Sequence, residues 1–281
     1  MDDKPANMKD HIWTGERLEP EILGQVSVEH WHRYAVAADY AAGKDVLDIA
    51  CGTGYGSHML AAVARSVIAI DIDEATIKKA TYDYQKPNLH FKTGNIVSIP
   101  CNDHSTDLVT CFETLEHITE HDRLMGELKR TLRPQGMAII STPDKKFYSD
   151  LPGYQNPFHA KELYRAEFIG LLKKHFQFVH LSSQAFLQGS FFVDEDNTFP
   201  SAEYAGNFSG LRQPSRLNMT YMVAFVSDDI VKAPSSSYFT AHDALHDAIR
   251  QKELAVKGSL SYRIGHSILL PFKKMRGVFK K

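Results

Sequence analysis

The sequence predicts an α/β fold: a mostly parallel seven-stranded sheet with helices on both faces. Three observations predict it. Short apolar runs such as VLDIA (46–50), SVIAIDID (66–73) and MAIISTP (137–143) recur through residues 46–143. Stretches of helical periodicity separate them. A glycine-rich turn, CGTGYG (51–56), follows the first run and opens a helix. Strands with no polar face are buried on both sides, which a parallel sheet achieves when helices cover it above and below.

The elements follow in order. After VLDIA and its turn, SHMLAAVA (57–64) reads as a helix, and SVIAIDID is the second strand. A helix near Glu74–Tyr84 leads to the third strand, LHFKTGNI (89–96), and TDLVTCFET (106–114) is the fourth. The helix near Glu120–Leu132 stops at Arg133-Pro134-Gln135-Gly136, and MAIISTP is the fifth strand. A loop (144–157), a helix around Lys161–His175, and strands near 179–186 and 221–227 complete the set. The segment 187–219 is rich in Gly, Ser, Asn, Phe and Pro. So long a loop is expected to be a substrate-side insertion, with disorder the alternative.

Composition sets the outer bounds. With 281 residues, 43% hydrophobic and 23% charged, the chain is neither disordered, collagenous nor a disulfide scaffold. Cys51, Cys101 and Cys111 form no CxxC pair, which suits a reducing compartment and excludes a cysteine-rich zinc module. No apolar run approaches the ~20 residues of a membrane span. The start, MDDKPANMKDHIW, lacks an apolar signal core, so a cytoplasmic protein is expected. Net charge is −2 but uneven: residues 257–281 hold seven basic residues and no acid. The remaining 25 basic against 34 acidic residues leave 1–256 at −9, a poor surface for nucleic acid.

The glycine loop carries the first chemistry. Gly52-Thr53-Gly54-Tyr55-Gly56 lets the backbone turn tightly and approach a ligand. Asp71 ends the second strand 19 residues past Gly52, where a carboxylate accepts both hydroxyls of a ribose. A nucleoside-containing cofactor follows. The nicotinamide pattern GxGxxG fails, because position 57 is Ser. Asp48 before the loop would repel a pyrophosphate but accept an ammonium, which favours S-adenosylmethionine over NAD.

Here the sequence resembles the class I S-adenosylmethionine-dependent methyltransferases, whose Rossmann-like fold matches the strand pattern. VLDIACGTGYG looks like their first motif, AIDID the second, and LKRTLRPQGMAIISTP their post-helix strand. The resemblance covers roughly residues 30–185. It implies ribose on Asp71 and the methionine moiety along the loop, with Asp48, Ala50, Gly52, Gly54, Tyr55, Ile72, Asn95, Ile96 and Phe112 lining the cofactor. Asn95 stands where the family often has an acid facing the adenine amine. Upstream, TGERLEPEILGQVSVEHWHRY resembles the cofactor-covering segment of bacterial glycan-pathway enzymes, with Arg33 and Tyr34 reaching the cofactor carboxylate and ring. The alternative is an amphipathic helix in which Trp31 and Tyr34 pack and Arg33 faces water. Three parts are therefore expected: a covering segment (1–42), a methyltransferase domain (43–230) and a C-terminal extension (231–281).

The fourth strand ends in Phe112-Glu113-Thr114-Leu115-Glu116-His117. If the chain turns helical there, Glu113, Glu116 and His117 share one face at the ligand crevice. Such a cluster is repulsive unless a cation or proton is shared. The E-x-x-E-H run resembles the metal motif of ubiquinone-pathway and plant small-RNA methyltransferases, and His159 is the candidate fourth ligand of an Mg²⁺ or Mn²⁺ ion. Without metal, His117 acts as base or orients a loop. His121 reads as part of a solvated helix start.

The expected activity is methyl transfer to a hydroxyl of a sugar or glycan, such as an O-antigen, with His117 or His159 taking the proton and Glu113 supporting. A quinone or phenolic acceptor is the runner-up. A non-catalytic cofactor-binding subunit of a glycan assembly complex is the alternative outside catalysis. The tail from Lys257 mixes Ile264, Leu269 and Phe272 with unopposed positive charge. It is expected to meet an anionic membrane surface, or to pack on its own domain or a partner subunit.

Overall fold

A computed structural model describes residues 25–187, 189–194, 205–207, 210–212, 219–239, 250 and 254–259. The chain enters through α1 (Gln25–Ala41), which buries Val36, Ala37 and Ala41. Then come β1 (Asp45–Ile49), α2 (Tyr55–Leu60), β2 (Ser66–Asp71), α3 (Glu74–Asp83) and β3 (Leu89–Thr93). The Asp73 carboxylate accepts the Ala75 N–H and so caps the start of α3. β4 (Thr106–Phe112) ends in one 3-10 turn (Leu115–His117) before α4 (His121–Thr131) and β5 (Leu132–Pro143). A π-helical turn (Lys146–Asp150), α5 (Arg165–His175), β6 (Phe178–Leu187) and β7 (Gly189–Asp194) follow. The short hairpin β8 (Ala205–Asn207) and β9 (Gly210–Arg212), then β10 (Tyr221–Ser227) and β11 (Ser237–Phe239), complete the named elements.

One sheet runs β11-β7-β6-β10-β5-β4-β1-β2-β3. The expected seven strands form its core, β6-β10-β5-β4-β1-β2-β3, and only β10 opposes the rest. This is the Rossmann-like sheet of class I methyltransferases. β7 and β11 add two strands beyond the seven. The glycines and serines of 187–219 suggested loop throughout, but Phe191, Phe192 and Val193 are strong strand formers and pair along β6.

Side chains alternate across the strands and feed two cores. Leu47, Ile49, Ile70, Val109 and Ile140 pack beneath Leu124 and Leu128 of α4 and Phe168 and Leu172 of α5. On the other face Val46, Ala69, Leu108, Ile139 and Phe225 meet Val36 and Ala37 of α1, Leu60 of α2 and Ile77 of α3. At the N-terminal edge, Arg133 bridges Asp107 (2.6 Å) and Asp45 (3.0 Å), so the expected stop signal also ties β1 to β4.

The chain divides into two units, Met1–Phe239 and Thr240–Lys281. α1 is part of the body, and residues 231–239 return to it: the Tyr40 hydroxyl donates to the Lys232 carbonyl (3.0 Å), and β11 pairs with β7. In the second unit, residues 254–258 are helical. The tail beyond 259 and the first 24 residues lie outside the described residues. Among the described residues no helix is long and apolar enough to cross a membrane.

Candidate functional site

Parallel strands β1, β2, β4 and β5 end on one edge of the sheet, and the expected site residues gather there. After Ile49 the chain turns through Ala50 (φ +53°), Gly52 (+55°) and Gly54 (+85°). Two glycines have a packing reason as well. A Cβ on Gly54 would lie 2.7 Å from the Phe91 ring, and one on Gly56 only 1.9 Å from the Tyr34 ring. Asp71 ties the loop to β2, accepting the Gly52 N–H (2.9 Å) and the Asp73 N–H (3.0 Å). Beside it Ile72 is 70% exposed, and Ile96 is half-buried. An acid at the strand end flanked by uncovered apolar surface fits the ribose and adenine of S-adenosylmethionine. Asn95 is exposed, but its side-chain oxygen accepts the Val97 N–H (3.0 Å) within its own turn.

Asp48 is fully buried beneath the loop. Its carboxylate accepts hydroxyls from Ser57 (2.6 Å), Thr110 (2.7 Å) and Tyr34 (3.2 Å), and burial pushes it up to about 6. The ammonium-accepting position read from sequence is therefore occupied by three hydroxyls of the chain itself. The Tyr34 ring meets Tyr55 and Phe112 edge-on at 5.7 and 5.0 Å, so both aromatic cofactor candidates wedge α1 against the loop.

Arg33 departs from Tyr34. Although its neighbour reaches β1, Arg33 sends its guanidinium toward β6 and β10. Its Nε donates to the Gln184 side-chain oxygen (2.7 Å), and its carbon lies 4.4 Å from the centre of the Tyr221 ring. It is fully buried, against the water-facing alternative. Gln184 also donates to the Glu29 carbonyl (3.0 Å), holding α1 on the sheet. The sequence reading passed over Gln184, Tyr221 and Glu29. A glutamine amid an apolar strand was the available signal, since a buried amide needs partners.

The ExxEH run needs one correction. No helix begins at Glu113; it takes a left-handed φ of +47°, and only Leu115–His117 form a turn. Its carboxylate therefore leaves the shared face, accepting the Ser141 hydroxyl (2.6 Å) and pairing with Arg33 (3.2 Å). Glu116, His117 and His159 do converge, with candidate ligand atoms all within 4.8 Å of one another. Glu116 is buried, accepts the Thr142 hydroxyl (3.0 Å), and is pushed well above the usual carboxylate range by burial and by Glu113. A buried acid beside two imidazoles suits a shared proton or a divalent cation.

The two histidines differ. His117 donates from Nδ1 to the Phe158 carbonyl (3.1 Å), which leaves Nε2 as its basic nitrogen, 4.0 Å from Glu116. His159 lies between Glu162 on Nδ1 (2.6 Å) and the Asn156 amide on Nε2 (3.0 Å), stacked on Tyr148. His121, expected in solvent, is buried and bonded to the Leu115 carbonyl (2.9 Å), bracing the turn that carries His117.

Fold and glycine loop together are similar to those of the class I S-adenosylmethionine-dependent methyltransferases. Residues 47–140 match the family model described as methyltransferase domain. Over 168 residues the chain is 39% identical to a probable S-adenosylmethionine-dependent methyltransferase of Mycolicibacterium smegmatis, covering 57% of this chain and 63% of that relative. It is 30% identical over 107 residues to a ubiquinone biosynthesis O-methyltransferase of Coxiella burnetii, covering 37% of this chain and 46% of the relative. The chain thus spans less than two thirds of either relative. The crystal structure of the YcgJ protein from Bacillus subtilis shares the fold, with a TM-score of 0.53 at 16% identity over 72% of this chain and all of that one.

Proposed function

We propose that this chain methylates a hydroxyl of a sugar or glycan acceptor of the O-antigen or lipopolysaccharide kind. When bound, S-adenosylmethionine supplies an electrophilic methyl group. The protein must hold the acceptor oxygen in line with it and take up the departing proton. The observation that carries the reading is the convergence of Glu116, His117 and His159 just past the end of β4. His117 serves as base: its tautomer is set by the Phe158 carbonyl, its side chain is 31% exposed, and Glu116 stands ready to balance an imidazolium. His159 is more committed, its two nitrogens engaged by Glu162 and Asn156, and it positions Tyr148. Glu116 and His117, joined by His159 once its Nε2 leaves the Asn156 amide, offer a ligand set for Mg²⁺ or Mn²⁺, which would bind neighbouring hydroxyls and lower the pKa of the attacking one.

A second reading, a quinone or phenolic acceptor, draws on the ubiquinone-pathway relative and on the exposed rings of Tyr154 and Phe158 near His159. Labelled methyl transfer to nucleotide sugars and oligosaccharides, set against catechols and quinols, separates the two. Transfer to phenolics alone overturns the sugar reading. Transfer to nothing in a wide panel favours a cofactor-binding subunit.

A further inference from the structure

We propose that the 420 Å³ cleft between the first turn of α4 and the segment 161–171 is a subsite for a second sugar of the acceptor. The enzyme would then take glycans of two or more units in preference to monosaccharides; this rests on the sugar reading above. The volume falls within the ~300–1,000 Å³ usual for ligand sites. Leu163, buried, and Leu171, half-buried, give the cleft apolar surface, and exposed polar and charged side chains surround them.

Position is the first argument. Thr119 on one wall follows His117 by two residues, and Lys161 on the other follows His159 by two. Each Cα therefore lies within about 7 Å of the Cα of its histidine. Hydrogen bonds fix both walls to the turn that carries the cluster. The N–H groups of Ala160 and Lys161 donate to the Glu116 carbonyl (2.7 and 3.0 Å), and the His121 ring bonds the Leu115 carbonyl (2.9 Å). Leu163 is held just past the end of β5, its carbonyl accepting the Lys145 N–H (3.1 Å). A glycan with one hydroxyl at His117 has its next unit within reach of this cleft.

The lining decides the ligand's chemistry. Three carboxylates (Glu120, Asp122, Glu167) stand with two cations (Arg123, Lys161), so no excess positive charge favours a phosphate or sulfate. Acceptors and donors together, beside apolar surface, match the hydroxyls and C–H faces of a neutral sugar. The acceptors are held in place. Glu167 takes the Tyr164 N–H (2.9 Å), Glu120 the Thr119 hydroxyl (3.1 Å), and Asp122 both Lys174 and His175 (2.7 Å each). A carboxylate has about four lone-pair sites, so each of these exposed groups keeps capacity for a ligand hydroxyl. Groups fixed before binding lose less freedom when the ligand arrives.

The test compares glycan lengths. Saturation-transfer NMR titrations use the methyl glycosides of mannose, rhamnose and glucose and the matching α-linked trisaccharides, on wild type, Thr119→Trp and Lys161→Ala. Thr119→Trp fills the cleft. Lys161→Ala removes one donor and keeps the backbone N–H that holds Glu116. In wild type at least one trisaccharide should bind about tenfold or more tightly than its methyl glycoside. That gain should fall below about threefold in Thr119→Trp and shrink in Lys161→Ala, while calorimetry finds S-adenosylhomocysteine affinity within about threefold of wild type. If Thr119→Trp loses S-adenosylhomocysteine binding, it has disturbed the fold, and Lys161→Ala decides alone. Trisaccharides that bind no tighter than methyl glycosides would overturn the subsite, as would a gain undiminished in the variants. Methyl transfer into the glycosides would in that case leave the proposed function standing. No binding and no methylation of any sugar, short or long, would sink both.

Discussion

Ala50 and Glu113 hold the same left-handed backbone, φ +53° and +47°, one residue past the ends of the adjacent parallel strands β1 and β4. Neither is glycine, and each sits at the crevice edge in the left-handed region that non-glycine residues rarely adopt. A side chain in this conformation is strained by roughly 1–2 kcal/mol. At Ala50 the strain opens the glycine loop; at Glu113 it turns a carboxylate toward Arg33 and away from Glu116.

Ala50→Gly should therefore raise stability by about 0.5–1 kcal/mol, because relief of the strain outweighs the added freedom of the unfolded chain. Thermal unfolding checks this. A lower melting temperature would mean that the Ala50 methyl has packing worth more than its strain.

Asp71→Ala should weaken S-adenosylhomocysteine binding by about 100-fold or more. The variant would lose the two charge-assisted bonds expected to ribose, at roughly 1.5–3 kcal/mol each, and the Gly52 N–H would lose its anchor. Calorimetry measures it. Unchanged affinity would remove Asp71 from the cofactor site.

Glu29 gives a pH signature. Burial outweighs the Arg33 charge and raises its carboxyl from 4.5 to about 7. A carboxyl raised on folding contributes stability that is fully present below the unfolded value and lost as pH climbs through the folded one. Glu29→Gln should therefore remove part of the stability decline between about pH 4.5 and 7, while wild type and variant run parallel outside that window. Denaturant titrations across that range decide it; identical slopes would mean that Glu29 ionises in the folded protein as it does in water.

Chelation addresses the Glu116–His117–His159 cluster. If it holds a divalent ion, stripping with a chelator should abolish turnover and Mg²⁺ or Mn²⁺ should restore it. Full turnover in metal-free enzyme would leave the proton-sharing role alone, and His159→Ala would then report only the packing of Tyr148.

The strands of the parallel sheet and the helices covering both its faces were legible because apolar runs and helical periodicity are local signals. Gly54 and Asp71 were legible because backbone conformation and strand-end position follow from neighbours in sequence. The surroundings of Arg33 and Glu113 were not. Arg33 finds Gln184 from 151 residues away, and the direction of Glu113 depends on one left-handed φ that a helix-period reading of ExxEH passes over. Likewise β11 pairs with β7 across segments whose composition suggested loop, because pairing partners are chosen by the folded sheet.

Methyl transfer to a sugar oxygen, with His117 as base, is the proposed reaction. The most direct measurement follows a labelled methyl from S-adenosylmethionine into an oligosaccharide panel, locates it by NMR, and repeats the assay with His117→Ala. A methyl ether on a sugar hydroxyl is expected, with turnover falling by about 10²–10⁴-fold in the variant and S-adenosylhomocysteine binding retained. Label on a phenolic acceptor or on nitrogen, or a His117→Ala enzyme as fast as wild type, would contradict it.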